Sequence, residues 1–328
     1  MKKNRHIYIY SPSSAVRDKA AFRRGVSRLR ALGHEVEIDE AALAVHQRFA
    51  GDDATRLAAI GRAAASGADV ALISRGGYGL TRILDQLPYK ALAKACERGT
   101  SFVGVSDFTA LQNALLAKTG AVTWAGPAVG EDFGAEGGAD EIMQACFDDL
   151  LEGQGEGTGW RVPARDAGDG PLLPRSIHGA TLWGGNLCVL MSLLGTPYFP
   201  SVDKGVLFIE DINEHPYRIE RMLEQLRTAG VLARQKAVVF GQFTGMRKVP
   251  GYDRGFGLPS VIERLRSQIK VPVLTGLPFG HVQTKVLLPV GAQVELAGDG
   301  RELFMVWGHG PLGHRHAPGH DHDHGHAH

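Results

Sequence analysis

Gly104-Val105-Ser106-Asp107-Phe108 sets a serine between an apolar run and a helical pattern. At a sharp strand-to-helix turn the serine oxygen stands exposed, and the next backbone N–H, with the helix dipole, points at developing negative charge. That is the geometry of an acyl-transfer nucleophile. Phe108 occupies the place of the second glycine in G-x-S-x-G. Ser and Asp are also good helix N-caps, so the fragment alone fits a capped helix start equally well.

A second turn, Arg75-Gly76-Gly77-Tyr78-Gly79, also joins an apolar run to a helical pattern. It lacks the G-x-G-x-x-G spacing and the Lys-Ser/Thr of a P-loop, so nucleotide binding fits poorly. The backbone N–H of Gly77 or its neighbour, with that of Asp107, could hold a tetrahedral oxyanion, each donor worth roughly 3 kcal/mol. The same glycines could simply permit positive φ at a tight turn.

An acid and a base come from the second half. Glu210 follows the apolar run Gly205–Ile209, the way a histidine-orienting carboxylate is usually delivered. Asp211 and Glu214 are close by, but either could instead cap the helix that follows. Outside the C-terminal tract the histidines are His6, His34, His46, His178, His215 and His281. His281 lies on a Pro/Gly-rich loop after the short apolar run Val271–Leu274, where catalytic groups concentrate. His215 competes, though its place beside Glu210 in the chain suits a cap or surface residue.

These residues need a scaffold. Ile7–Tyr10, Glu35–Ile38, Val70–Ser74 and Phe102–Val105 read as strands alternating with helices over Ser13–Leu32, Arg56–Ser66, a stretch from Leu80, and a stretch to about Lys118. Such alternation predicts α/β architecture with a parallel sheet, whose strand ends carry the ligand site. The second half mixes strands (Gly205–Ile209, Ala237–Phe240, Lys285–Pro289) with helices (Tyr217–Ala229, Leu258–Gln268) and reads as α+β. Two domains are expected, 1–151 and 173–308, joined by a glycine-rich linker over 152–172.

Composition narrows the function. The 328 residues carry 36 basic and 35 acidic side chains, leaving no global field to draw the chain onto nucleic acid or an anionic membrane. A peptide or small-molecule substrate is expected. Cys96, Cys146 and Cys188 are too few and too widely spaced for a disulfide framework or a zinc site. The Ile7–Tyr10 run is too short for a signal-peptide core, and no segment approaches the roughly 20 apolar residues of a membrane span, so a cytoplasmic location is expected. The stretch Gly308–His328 holds eight of the 14 histidines and is expected to be disordered. Its imidazoles could capture Zn, Ni or Cu adventitiously, although an appendage without catalytic role is the preferred reading.

From Ile7 to Trp307 the chain resembles the LD-carboxypeptidase family, the S66 serine peptidases, which includes muramoyltetrapeptide carboxypeptidases and microcin C immunity peptidases. The likeness rests on six ordered blocks: Arg48-Phe49-Ala50-Gly51, Arg75–Gly79, Gly104–Thr109, Leu182–Leu187, Ile209–Ile212 with Pro216–Arg218, and Gly276–His281. The resemblance implies Ser106 as nucleophile, His281 as base, Glu210 as its orienting acid, and the N–H groups of Gly77 and Asp107 as oxyanion donors. It also implies a Rossmann-like N-terminal domain, a smaller mixed C-terminal domain and a homodimer; hydrolysis through an acyl-enzyme at Ser106 calls for no cofactor or metal. The closest branch removes the terminal D-alanine from the L-centre of diaminopimelate in murein tetrapeptide during cytoplasmic cell-wall recycling. Trp183, Gly185 and Asn186 fall in a Gly-rich segment that could line the pocket as substrate contacts, although burial in the core of the second domain is the commoner fate of a tryptophan. Two rivals are a same-fold enzyme cleaving a peptidyl- or aminoacyl-nucleotide antibiotic and a non-catalytic binder of peptidoglycan fragments. A pure binder has no need of a base with its orienting acid.

Overall fold

Short, uninterrupted apolar runs such as Val70–Ile73 have no polar face to offer water, and they become strands covered on both sides. The computed structural model describes residues 4–167 and 171–308. The histidine-rich segment 309–328, and the readings placed on it, lie outside the described residues.

The first half runs β1 (His6–Tyr10), α1 (Lys19–Ala31), β2 (Glu35–Ile38), α2 (Asp53–Ala65), β3 (Val70–Ile73), α3 (Tyr89–Glu97), β4 (Ser101–Gly104), α4 (Phe108–Thr119), β5 (Thr123–Ala125) and α5 (Glu141–Glu152). The rest comprises β6 (Gly157–Arg161), β7 (Ile177–Asn186), α6 (Leu187–Leu193), β8 (Val206–Ile212), α7 (Pro216–Thr228), β9 (Ala237–Thr244), α8 (Leu258–Gln268), β10 (Val273–Leu274), β11 (Leu288–Val290), β12 (Gln293–Asp299) and β13 (Glu302–Val306).

One sheet has the order β11-β5-β4-β3-β1-β2, parallel except for the β11–β5 pair. Ile7, Ile9, Val70, Leu72 and Val103 pack on one face with Phe22, Val26, Met143 and Phe147 from α1 and α5. Tyr8, Tyr10, Ala71, Ile73 and Phe102 pack on the other with Ile60, Leu92, Phe108 and Leu111 from α2, α3 and α4. The expected α/β fold with a parallel sheet is therefore present, with helices on both faces. The second sheet, β10-β9-β8-β7-β12-β13-β6, is parallel from β10 to β7 and antiparallel beyond, the mixed architecture expected of the second half.

Local physics moves several boundaries. The helix expected from Ser13 begins only at Lys19, because the Asp18 carboxylate accepts the Ala21 N–H and caps it. The stretch from Leu80 forms two short 3-10 turns, and α3 starts at Tyr89, since Pro88 holds Leu87 extended. The expected linker 152–172 contains a strand, as β6 pairs with β13 along its whole length. Its glycines serve close packing: a Cβ on Gly157 would lie 2.6 Å from the Met305 carbonyl oxygen, and one on Gly159 3.1 Å from the Phe304 ring.

One hydrophobic core is confined to the second half, but another is shared between the two halves. Leu288 in β11 belongs to the first sheet although it comes from the second half. One hydrophobic cluster runs from Tyr10 and Phe102 through Leu288 to Phe208 and Val239 of the second sheet. Leu288→Ala, which empties a fully buried position in that shared cluster, should cost about 2–5 kcal/mol. Urea unfolding followed by near- and far-UV circular dichroism should then give a single shared transition; two separated transitions would contradict a common core.

Candidate active site

β4 ends at Gly104 against the first turn of α4, where a Cβ would lie 2.6 Å from the Phe108 ring. The aromatic residue in place of a second glycine is thus packed over the strand end. Ser106 between them adopts φ 66°, left-handed backbone that a non-glycine residue rarely takes. Such a conformation costs on the order of 1–3 kcal/mol and persists only where its surroundings impose it. Neither Ser106 nor Asp107 caps α4 through its side chain. The capped-helix alternative for this turn therefore fails.

Gly76 lies against the serine: a Cβ there would be 2.5 Å from Ser106 Cβ and 2.9 Å from Oγ. Gly77 has φ 109°, and its Cβ would fall 2.2 Å from Ser14 Oγ, which accepts the Tyr78 N–H at 3.0 Å. The Asp107 carboxylate, buried beneath the turn, accepts the Leu80 N–H at 2.9 Å and so ties the glycine turn to α4. Burial pushes its pKa up against the stabilising effect of that bond, Ser13, Arg56 and Arg48. Among the described residues, the N–H groups of Gly77 and Asp107 have no backbone acceptor. Arg56, fully buried, donates to the Gly79 carbonyl at 2.8 Å and lies 5.0 Å over the ring of Phe49 from the Arg48–Gly51 block.

Glu210 lies inside β8, which continues to Ile212, and has no exposed surface. Its Oε2 is 2.8 Å from His281 Nδ1, and its Oε1 accepts Asn186 Nδ2 at 3.1 Å. Gly280, at φ 144°, leaves room for this pair, since a Cβ there would lie 3.1 Å from Glu210 Oε2. Burial disfavours the His281 imidazolium, but the hydrogen bond and charge of Glu210 outweigh it and the pKa is raised. His281 and Ser106 line one cavity of about 530 Å³ with Arg75, Gly77, Glu131 and Lys285. The bond closed in the resting arrangement is that of His281 to Glu210; none joins Ser106 to His281 among the described residues.

Two family models cover most of this scaffold: the LD-carboxypeptidase N-terminal domain matches residues 7–126 and the LD-carboxypeptidase C-terminal domain residues 179–296. The chain belongs to the LD-carboxypeptidase family. It is 31% identical over 270 residues to a Bacillus subtilis protein named "probable murein peptide carboxypeptidase", spanning 82% of this chain and 81% of that one. The crystal structure of muramoyltetrapeptide carboxypeptidase from Oxalobacter formigenes matches at 38% identity and a TM-score of 0.81, covering 92% of this chain and 98% of that one. Microcin C7 self-immunity protein MccF in complex with aspartyl sulfamoyl adenosine matches at 22% identity and a TM-score of 0.79, over 93% and 97% of the two chains, and shares the fold.

Within this family fold, three expected substrate contacts have structural work instead. Trp183 is fully buried, donates Nε1 to Gln235 Oε1 at 2.9 Å and packs edge-on against Phe199. Gly185 admits α4, since a Cβ there would meet Thr109 Oγ1 at 2.5 Å. Asn186 donates to both Glu210 and Asp211, while its own N–H donates to Thr109 Oγ1 at 3.0 Å. None of the three lines the cavity with Ser106. Asn186 links the helix behind the serine to the carboxylate behind the histidine.

The alternatives to Glu210 and His281 are also occupied. Asp211 accepts the Cys188 N–H at the start of α6, and burial pushes its pKa up to about 6. Glu214 pairs with Arg218. His215 caps α7 by accepting the Tyr217 N–H and lies 2.8 Å from Asp253. Among the described residues no three His, Cys, Asp or Glu side chains gather into a metal-holding group.

Sequence reasoning missed two ion pairs on the cavity wall. Lys285 and Asp132 are 2.7 Å apart and almost fully buried, and Arg75 reaches Glu131 at 3.4 Å. Lys285, four residues after His281, was detectable only as a charged residue opening an apolar run. Its partner sits 153 positions earlier, beyond any local pattern.

The His281 imidazole should titrate above the ordinary 6.5. Glu210→Gln removes the charge that raises it and leaves burial, so the pKa should fall below that value. Histidine NMR titration of both proteins checks the order; an unchanged pKa in the variant would rule out Glu210 as the cause.

Proposed function

We propose that the protein is a serine carboxypeptidase that removes the terminal D-alanine from cytoplasmic murein tetrapeptide in peptidoglycan recycling. The observation that carries the reading is the buried Glu210–His281 bond at 2.8 Å opening onto the cavity that also holds Ser106 in its left-handed turn. Family membership and the 38% identity to a muramoyltetrapeptide carboxypeptidase support the substrate class.

With Nδ1–H donated to Glu210, His281 presents Nε2 to the cavity as the proton acceptor. As Ser106 Oγ attacks the peptide carbonyl, its proton passes to His281, whose imidazolium Glu210 stabilises. The carbonyl oxygen becomes an oxyanion held by the Gly77 and Asp107 N–H groups, aided by the amino end of α4. Collapse breaks the C–N bond, and His281 returns the proton to the leaving D-alanine amine. Water, deprotonated by His281, then hydrolyses the acyl-serine and restores the hydroxyl. Ser106 comes from one sheet and the other two members from the second, so the cavity lies where the two sheets meet. A homodimer, implied by the family resemblance, is part of the proposal and is checked by sedimentation.

Ser106→Ala should retain the circular dichroism spectrum and lose about 10⁴–10⁶-fold in turnover of murein tetrapeptide. Near-normal D-alanine release by that variant would end the assignment. Because neutral His281 is the base and its pKa is raised, kcat/KM should fall as pH drops through a value above 6.5. Side-by-side assays with a peptidyl-nucleotide substrate distinguish the immunity-type reading, which predicts the opposite preference.

A further inference from the structure

An exopeptidase must distinguish a terminal carboxylate from a chain that continues. Two cations line the Ser106 cavity, Arg75 and Lys285. Lys285 is committed: it lies 2.7 Å from Asp132, with both side chains less than 5% exposed. Arg75 is not. Its Nε reaches Glu131 only at 3.4 Å, its Nη1 reaches the Ala15 carbonyl at a similarly long 3.4 Å, and Glu131 is half exposed. A long pair with a solvated partner contributes little and is easily exchanged.

The position of Arg75 matters as much as its charge. Ser106 Oγ lies 2.9 Å from where Gly76 would carry a Cβ, and Arg75 Nη1 lies 3.3 Å from where Gly77 would carry one. The hydroxyl and the guanidinium therefore flank consecutive residues of one turn. In a peptide whose scissile carbonyl sits at Ser106 with its oxygen on the Gly77 N–H, the next carbonyl carbon is one residue further, roughly 3.5 Å along an extended chain. In the last residue that carbon bears the carboxylate. A planar guanidinium matches it with two parallel hydrogen bonds.

We propose that Arg75 recognises the terminal carboxylate of the leaving residue, and that Glu131 holds Arg75 in place and competes with the substrate for it. This rests on the carboxypeptidase reading and specifies how the site selects chain ends. An internal peptide bond offers no charge at Arg75, so longer chains bind without this contact.

The test uses the full-length protein carrying Ser106→Ala, which binds peptide without consuming it. Calorimetry compares a diaminopimelyl-D-alanine peptide with its C-terminal amide. The acid should bind about 10- to 100-fold more tightly, the range for a charge-assisted contact. Adding Arg75→Gln should bring the acid-to-amide ratio close to one, and Arg75→Lys should recover part of it. Glu131→Gln should tighten the acid severalfold and leave the amide within about twofold.

An unchanged ratio in Arg75→Gln overturns the proposal, as does equal binding of acid and amide by the Arg75-bearing protein. So does a loss that disappears when lysine replaces diaminopimelate, because Arg75 would then read the side-chain carboxylate. If Arg75→Gln does not fold, the Glu131→Gln arm decides, and unchanged acid binding there counts against the competition. Failure of the peptidase reading is seen separately, as absent D-alanine release by the unmodified protein, while the binding ratio still reports on Arg75.

Discussion

A carboxylate with no exposed surface, Glu210, sits in the middle strand region of the second sheet. A buried charge is tolerated only when its oxygens are fully partnered. One oxygen takes the imidazole of His281 and the other takes Asn186. Much of the surrounding sequence follows from accommodating this group. A Cβ on Gly280 would lie 2.8 Å from the Gln242 carbonyl oxygen and 3.1 Å from Glu210 Oε2, and one on Gly241 2.5 Å from the Phe279 carbonyl oxygen and 3.3 Å from Glu210 Cβ, so both are bare where the His281 loop closes on β9 beside the carboxylate. The register between β8 and β9 shifts at Glu210, where one residue on β8 faces two on β9. Asn186 also contacts Thr109 of α4, so the support of the carboxylate and the helix behind Ser106 form one assembly.

The same logic governs the serine turn. Ser106 holds a backbone conformation that residues of its type avoid, and it is kept there by close approaches made possible at Gly76 and Gly104. Asp107, directly after it, fastens the glycine turn through Leu80. The two turns that carry the proposed oxyanion donors are thus braced by the side chain of one donor residue.

Much of this was legible along the chain. β2 and α8 match their expected bounds, and β3 could be read because a run buried on both faces is apolar without interruption. Ser106, Glu210 and His281 could be picked out because each lies at or near the end of an apolar run. Trp183, Gly185 and Asn186 do not line the Ser106 cavity, and a Trp-Gly-Gly-Asn segment looks the same whether it lines a pocket or packs beneath one. Their partners, Gln235 and Thr109, are 52 and 77 residues distant. The glycines over 152–172 were misread for a related reason: glycine required by tight strand pairing and glycine used for flexibility have one composition. The cavity-wall ion pairs join residues 56 and 153 positions apart, and a single sequence carries no mark of such pairings.

The short strand β11 has a further consequence. Leu288–Val290 follows His281 by only a few residues, yet it hydrogen-bonds to β5, whose other neighbour, β4, leads into Ser106. Histidine and serine therefore flank the same end of one hydrogen-bonded ribbon, because Leu288 at the start of β11 and Gly104 at the end of β4 are both level with Ala125 of β5, even though their sequence positions fall in different halves. Exchange of halves between relatives has to respect that ribbon. A chimera cut in the 126–179 interval brings a foreign β11 against the resident β5, and its spacing between His281 and Ser106 is set by how well those two strands mate. A substitution in β5 or β11 changes the surface that the other strand pairs with, and so reaches both residues at once.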